Sequence, residues 1–168
     1  MGTALLTYAA TRGQVRDQGR VSHAHWLRET RQKAYSDFII AANAASKSQG
    51  ACEEQVRKVR ALRWVTQDDV DRLGALDGAA VEATLTLHER SVHVYLAGPT
   101  ALGGLGGEMT QAIFDALREI RDLHPAIGTQ PEQPPDAYDT LQNLKHAEDN
   151  LFGRFQELAR STLDHPAS

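Results

Sequence analysis

The feature that most constrains the fold is an unbroken helical pattern at residues 26–42. Apolar side chains recur at steps of three and four residues, which is the period of one helix face. These positions, with one more beyond the stretch, are Leu27, Ala34, Phe38, Ala41, Ala42 and Ala45. Polar and charged residues from Arg28 to Lys33 occupy much of the opposite side. Because the apolar stripe is narrow and rich in alanine, the sequence predicts close packing of this helix against its neighbours.

The composition favours one closely packed helical domain. A chain of 168 residues is long enough to bury a sizeable core, so residues 1–168 are predicted to form a single domain. Only 6% of residues are aromatic, which favours close helix packing over a thick two-sheet core. Cys52 is the single cysteine, which excludes an internal disulfide and is typical of a reducing compartment. The apolar run Ala4–Ala10 is too short to span a bilayer and has no basic region ahead of it, so we expect a cytoplasmic protein.

Charge is distributed unevenly along the chain. Residues 1–63 contain 11 Lys and Arg against 5 Asp and Glu, a balance of +6. Residues 64–168 contain 7 against 17, a balance of −10. Packing the two parts side by side in an antiparallel bundle would place opposite charges next to each other, and this is the interpretation we favour.

The basic residues near the start of the chain allow a second interpretation, in which they contact an acidic partner. Arg12, Arg16 and Arg20 stand four residues apart, so on a helix they would form one ridge. Residues 1–20 would then be an exposed basic arm. A basic ridge can contact nucleic acid or an anionic membrane, but no aromatic residue interleaves the arginines, and a solvated helix face is the favoured interpretation.

The first helix is predicted to end at Lys47–Gly50, because glycine suits the left-handed position that terminates helices. A second helix would begin near Ala51 and be bent or split near Thr66, which resembles a helix N-cap. Its inward positions would be Cys52, Val56, Val59 and Leu62. Cys52 is interpreted as a small buried hydrophobe, since no histidine nearby in the sequence could activate its thiol.

Residues 83–96 can be read in two ways. They alternate as a β-hairpin should, but Val81, Leu85, Val92 and Leu96 also share one helix face. Periodicity alone does not decide between the two. Further along, Gly98 and Pro99 are predicted to restart a helix.

The second half contains two glycine- or proline-rich segments between helices. Gly103–Gly107 is predicted to be a flexible connection, and residues 125–135 a proline-rich linker. A helix between them would bury Met109, Ile113, Ala116, Leu117, Ile120 and Leu123. A last helix would run from Asp136 to about Leu163 and bury Leu141, Leu144, Leu151, Phe152, Phe155 and Leu158.

Three short motifs occur in order along the chain. They are Trp26-x4-Arg31-x2-Ala34-Tyr35-x2-Phe38, Val94-x-Leu96-x-Gly98-Pro99 and Phe155-x3-Ala159-Arg160-x2-Leu163. Together they resemble a loose group of small actinobacterial helical-bundle proteins of unknown function. The resemblance implies an antiparallel bundle in which the segment before Gly-Pro is helical, so we expect residues 83–96 to be a helix. Members of the group often carry a hydrophobic N-terminal span, and in this chain only the short run Ala4–Ala10 occupies that position. The resemblance implies no catalytic residues.

Metal-dependent chemistry has little support in the sequence. His88 and His93 are five residues apart, which is about 140° around a helix, whereas the zincin motif needs histidines four apart. The best enzyme hypothesis uses carboxylates that resemble the metal motifs of terpene synthases: Asp68, Asp69 and Asp71 with Asp149 and Glu157. The second motif is imperfect, because Gly153 occupies its middle ligand position. A capped helix start and a solvated helix face explain the two clusters more simply.

The sequence therefore predicts an all-α antiparallel bundle of about four long helices. A non-enzymatic interaction or regulatory module is favoured, with a small metal-dependent or small-molecule enzyme as the alternative. No catalytic, cofactor-binding or metal-ligating residue is predicted, and no cofactor. We expect a symmetric homodimer through the first helices, in which Trp26, Tyr35 and Ile39 are shared between chains, and a protein partner that the sequence does not identify.

Overall fold

The computed structural model describes residues 3–62, 64–125 and 137–164; for residues 3–17, 20 and 137 it describes the backbone only. These residues form four helices and no strand. The helices are α1 (Thr3–Arg60), α2 (Gln67–Ala97), α3 (Thr100–Asp122) and α4 (Ala137–Asp164). The predicted all-α bundle of about four helices is confirmed. Residues 83–96 lie within α2, so the choice of helix over hairpin is also confirmed.

Contacts along α1 establish an up-down-up-down bundle. Near the middle of α1, Arg31 Nε donates to Ala97 O at 3.0 Å, at the end of α2. Further along, Gln49 Nε2 donates to Ile113 O of α3 at 2.6 Å. At the end of α1, Arg60 Nε donates to Leu123 O at 2.6 Å. Since the level of contact on α3 advances with the level on α1, these two helices run parallel, and α2 and α4 run antiparallel to them.

The first half of α1 extends beyond the bundle. With 58 residues, α1 is about 87 Å long at about 1.5 Å per residue. Its packing against α2 ends near Arg31, where Ala97 is the last residue of α2. Residues 3–30 therefore project about 42 Å from the bundle as a continuous helix. The predicted arm over residues 1–20 falls in this projection, but the side chains of Arg12, Arg16 and Arg20 lie outside the described residues.

The predicted break at Lys47–Gly50 is wrong, because α1 continues through Gly50 to Arg60. A glycine inside a helix costs only about 1 kcal/mol relative to alanine. Tertiary contacts on both sides offset that cost: the buried Gln49 bonds to α3, and Cys52 is fully buried. The chain instead reverses after Arg60, where α2 begins with a complete capping box. Thr66 N donates to Asp69 Oδ2 at 3.0 Å, and Asp69 N donates to Thr66 Oγ1 at 3.3 Å.

Two apolar clusters form the core, one toward each end of the bundle. The first centres on Phe38 and Phe155, whose ring centroids are 4.6 Å apart. The predicted burial of both is confirmed, since neither exposes any surface. The second surrounds Cys52 and contains Leu73, Ile120 and Leu141. Most inward positions predicted on α1, α3 and α4 are buried or half-buried; Leu62, predicted inward, is exposed.

The glycine-rich segment is not a connection but part of the first turns of α3. Gly103 and Gly106 are buried there. A methyl group on Gly103 would lie 3.1 Å from Tyr95 Cα, and one on Gly106 would lie 3.6 Å from Phe38 Cζ. The missing side chain at Gly103 therefore lets α3 approach the α2 backbone closely, which a loop prediction from glycine content alone could not anticipate.

The apolar face predicted on α2 points to solvent. Leu85, Val92 and Leu96 are exposed. The buried face instead carries several small or polar residues, and its members are Leu73, Ala80, Thr84, Leu87, Ser91 and Val94. Thr84 Oγ1 donates to Ala80 O and Ser91 Oγ to His88 O, each at 2.7 Å, so their hydroxyl groups are satisfied within the helix. Small side chains then allow α1 and α3 to pack closely on α2.

Candidate functional site

One side of α1, next to α2, carries a strip of side chains that are exposed except for the half-buried Asp37. We define the outer α1 face as Trp26, Thr30, Lys33, Asp37, Ile40 and Ala44. These six positions lie within about 40° of one line along the helix. Trp26 is 58% exposed and Ile40 64%. Lys33 Nζ donates to Asp37 Oδ2 at 2.8 Å, and this hydrogen bond is the largest cause that lowers the pKa of Asp37.

Two shallow grooves flank this face on the side of α2. The first has a volume of about 300 Å³ and is lined by Thr30, Lys33, Ala34, Asp37, His93, Leu96 and Ala97. The second has a volume of about 280 Å³ and is lined by Ala41, Ala44, Ala79, Glu82, Ala83 and Thr86. Four of the six residues of the second groove are alanines, so it can accept a large side chain from outside. The outer α1 face is therefore bordered by two shallow grooves along α2.

The three residues predicted to be shared between two chains differ in solvent exposure. Trp26 is exposed as predicted. Tyr35 is buried in the first core cluster, where its ring meets Phe155 edge to face at 6.3 Å, so it cannot contact a second chain. Ile39 is partly buried against the same cluster. The prediction is therefore wrong for Tyr35, whose hydroxyl needs the space that Gly98 leaves: a methyl group on Gly98 would lie 2.7 Å from it.

The carboxylates of the enzyme hypothesis are not gathered into one site. Asp69 belongs to the capping box at the start of α2, and Asp71 accepts a hydrogen bond from Gln67 at 2.8 Å. Asp149 and Glu157 are exposed on α4, and the described backbones of α2 and α4 are not direct neighbours in the bundle. His88 and His93 are likewise exposed, and His88 packs edge to face on Phe114.

The fold does gather three other chemically active side chains, which we call the Cys52 cluster: Cys52 of α1, Asp77 of α2 and His124 just after α3. One donor atom from each lies within 4.8 Å of the others. Cys52 Sγ is 3.8 Å from His124 Nε2. Among the described residues, no other set of three His, Cys, Asp or Glu side chains meets in this way.

Neighbouring residues position two members of the Cys52 cluster, His124 and Asp77. His124 N donates to Arg121 O at 3.0 Å, and Arg60 Nε donates to the preceding carbonyl of Leu123 at 2.6 Å. These bonds position the short turn that carries His124. Arg121 Nε also lies 2.9 Å from Asp77 Oδ1, so the carboxylate has a neutralising charge beside it. The alignment is too poor for a hydrogen bond, which leaves buried Asp77 Oδ1 without one among the described residues.

The electrostatics of the Cys52 cluster oppose its use as a nucleophilic triad. Burial, and then the charge of Asp77, raise the pKa of Cys52 to about 11. Burial lowers the pKa of His124, which disfavours the imidazolium form. Cys52 exposes no surface. A neutral, inaccessible thiol cannot attack a substrate, because the thiolate is the reactive form.

Sequence reasoning missed the Cys52 cluster because its members come from three separate elements. No histidine is close to Cys52 in the sequence, and neither Asp77 nor His124 belongs to a recognisable motif. Only the antiparallel turn between α1 and α2 and the parallel course of α3 bring them together. The available signal was the inward position of Cys52 on its helix, which the sequence did predict.

The fold and these surfaces define a protein class, an all-α four-helix bundle with an extended first helix. No family model, curated protein or solved structure matches the chain. The resemblance to actinobacterial helical proteins therefore stays a prediction. None of the described helices has the length and apolarity needed to cross a membrane.

Proposed function

We propose that this protein is a helical interaction module that self-associates through the outer α1 face. The observation that carries the proposal is the arrangement of that face, in which Trp26 and Ile40 are exposed on either side of the Lys33–Asp37 pair. Aromatic side chains are enriched at protein interfaces, and Trp26 lies on the same side of α1 as Ile40. A biochemical role in assembly follows, with α1 as the contacting element.

A second copy is the occupant that the face fits best, because the face is complementary to itself. Two α1 helices laid antiparallel, centred at the level of Tyr35, place Lys33 of each copy opposite Asp37 of the other. The same pairing sets Thr30 against Ile40 of the second copy. It also sets Trp26 against Ala44 of the second copy, beside the groove rich in alanine. These are the a-to-d pairings of an antiparallel coiled coil, and a two-fold axis makes every contact occur twice.

The mass in solution tests the proposal directly. Light scattering or sedimentation over a micromolar concentration series should give a dimer for the full chain. Trp26→Ala should weaken dimerisation about tenfold or more, because aromatic anchors dominate interfaces. Trp64→Ala is the matched control: Trp64 is 61% exposed but lies in the turn between α1 and α2, so its removal should leave the mass unchanged.

A charge exchange tests the antiparallel pairing itself. Lys33→Glu places two carboxylates opposite two carboxylates in the homodimer, and Asp37→Lys places cations opposite cations, so each variant alone should be monomeric. An equimolar mixture should restore a dimer, because every pair is then of opposite sign. A monomeric wild-type chain would refute self-association. A wild-type dimer that both variants leave intact would instead show that another surface holds the chains together.

A further inference from the structure

The Cys52 cluster resembles a metal centre in composition and spacing, although its residues form no recognisable motif in the sequence. Its donors are a thiol sulfur, an imidazole nitrogen and a carboxylate oxygen, contributed by α1, by the turn after α3 and by α2. We propose that Cys52, Asp77 and His124 bind one zinc-class divalent ion and leave its fourth coordination position open.

The distances are close to those that a tetrahedral ion requires. Zinc binds sulfur at about 2.3 Å and nitrogen at about 2.0–2.1 Å, so tetrahedral geometry sets these two ligand atoms about 3.5 Å apart. Cys52 Sγ and His124 Nε2 are 3.8 Å apart. The remaining separations are at most 4.8 Å, and a shift of roughly 1 Å in the Asp77 side chain closes them to the same value. Ion binding therefore needs side-chain adjustment but no rearrangement of helices.

The ligand set also decides which class of ion fits. Sulfur and nitrogen donors favour zinc and its first-row neighbours, whereas magnesium and calcium prefer a shell of oxygens. A thiolate and a carboxylate together balance the two positive charges of the ion, which a largely buried site requires. Arg121 beside Asp77 offsets part of this negative charge, but its side chain is 54% exposed, so solvent screens the guanidinium. One carboxylate oxygen can face the ion while the other faces Arg121, as outer-shell partners commonly do.

The three proposed ligands differ in how much of their surface is exposed to solvent. Cys52 is fully buried, whereas Asp77 and His124 are only partly buried at the surface end of the cluster. The open position then faces the side from which water or a small anionic or thiol ligand can enter. An ion held here would tie together α1, α2 and the end of α3, at the end of the bundle opposite the projecting half of α1.

Cobalt(II) is the probe for this site, because a thiolate bound to cobalt gives a charge-transfer band in the near ultraviolet. The full chain contains one cysteine, so that band can come from Cys52 alone. After treatment with a chelator, titration should show the band saturating at one cobalt ion per chain, and zinc should displace the cobalt. Zinc should also raise the thermal unfolding midpoint, since an ion that binds only the folded state stabilises it.

Variants assign the ligands. Cys52→Ser should abolish the band, and Asp77→Asn and His124→Gln should each weaken cobalt binding about tenfold or more. His146→Gln is the matched control, because His146 is exposed on α4 and outside the cluster. Circular dichroism checks the fold of each variant. If Cys52→Ser does not fold, the two partly buried ligands still decide the outcome. A wild-type chain without a thiolate band in excess cobalt, or folded Asp77 and His124 variants that bind as wild type does, would overturn the proposal.

Discussion

Replacing Gly103 with alanine tests whether close approach of α3 to α2 explains the glycines of the Gly103–Gly107 segment. The new methyl group would lie 2.6 Å from Tyr95 Cδ2 and 3.1 Å from Tyr95 Cα, whereas ordinary carbon contacts are about 3.5–4.0 Å. The Tyr95 ring is 62% exposed and can swing outward. The Cα atom belongs to the α2 backbone and cannot move without separating the two helices.

The expected magnitude follows from two opposing effects. Overpacking of this kind costs about 1–3 kcal/mol. Alanine is favoured over glycine inside a helix by about 1 kcal/mol, so Gly103→Ala should lower the free energy of unfolding by about 0–2 kcal/mol. Gly104→Ala is the matched control, because a methyl group there meets no atom within 4 Å. It should raise the free energy of unfolding by about 1 kcal/mol.

Both variants gain the same helix propensity, so the difference between their free energies of unfolding reports the packing strain at Gly103 alone. Urea unfolding followed by circular dichroism should therefore separate Gly103→Ala from Gly104→Ala by about 1–3 kcal/mol. Gly107→Ala, where the space is also empty, should behave as Gly104→Ala does. Equal stabilities for the Gly103 and Gly104 variants would show that α3 does not depend on close approach at Gly103, and the argument from helix packing would fail.

Three further predictions concern the core, a helix cap and a buried carboxyl group. Phe38→Ala and Phe155→Ala should each lower the free energy of unfolding by about 3–5 kcal/mol in urea titrations. A double-mutant cycle should give a coupling of about 0.5–1.5 kcal/mol from their ring contact, and a loss below about 1 kcal/mol for either would contradict the assigned faces. Thr66→Ala should cost about 1 kcal/mol in the same assay by removing the capping box; an unchanged midpoint would contradict that role. Burial raises the pKa of Glu148 above its ordinary value of 4.5, so the folded state binds this proton more tightly and loses stability as pH rises through the folded pKa. Glu148→Gln should therefore gain stability relative to wild type between pH 4 and pH 7, and urea titrations at both values that show no such gain would contradict the burial argument.

Local pattern was sufficient to predict the helical segments that have a regular apolar stripe. Phe38 and Phe155 were placed in the core from spacing alone. Apolar residues that recur every three to four positions lie on one face of a helix, and that face is the one that packs into the core. The capping sequence at Thr66 also located the start of α2. These features depend on residues within a few turns of one another, so they can be read from the chain directly.

Other features depend on helices that meet only in the folded protein. Gly50 looked like a helix end, yet contacts from Gln49 to α3 keep α1 continuous across it. Gly103 looked like part of a loop, yet it is where α3 touches the α2 backbone. Tyr35 was predicted to contact a second chain, yet its side chain packs against Phe155 and Gly98 of the same chain.

By itself, the sequence determined an all-α chain, the existence of four helices and the burial of Phe38 and Phe155. The tertiary structure decided where α1 ends, which face of α2 is buried and which polar side chains meet. The Cys52 cluster is the clearest case, since Cys52, Asp77 and His124 occupy three elements and share no local pattern. The physical reason is that periodicity records which side of a helix is apolar, whereas contact between distant side chains depends on how the helices pack.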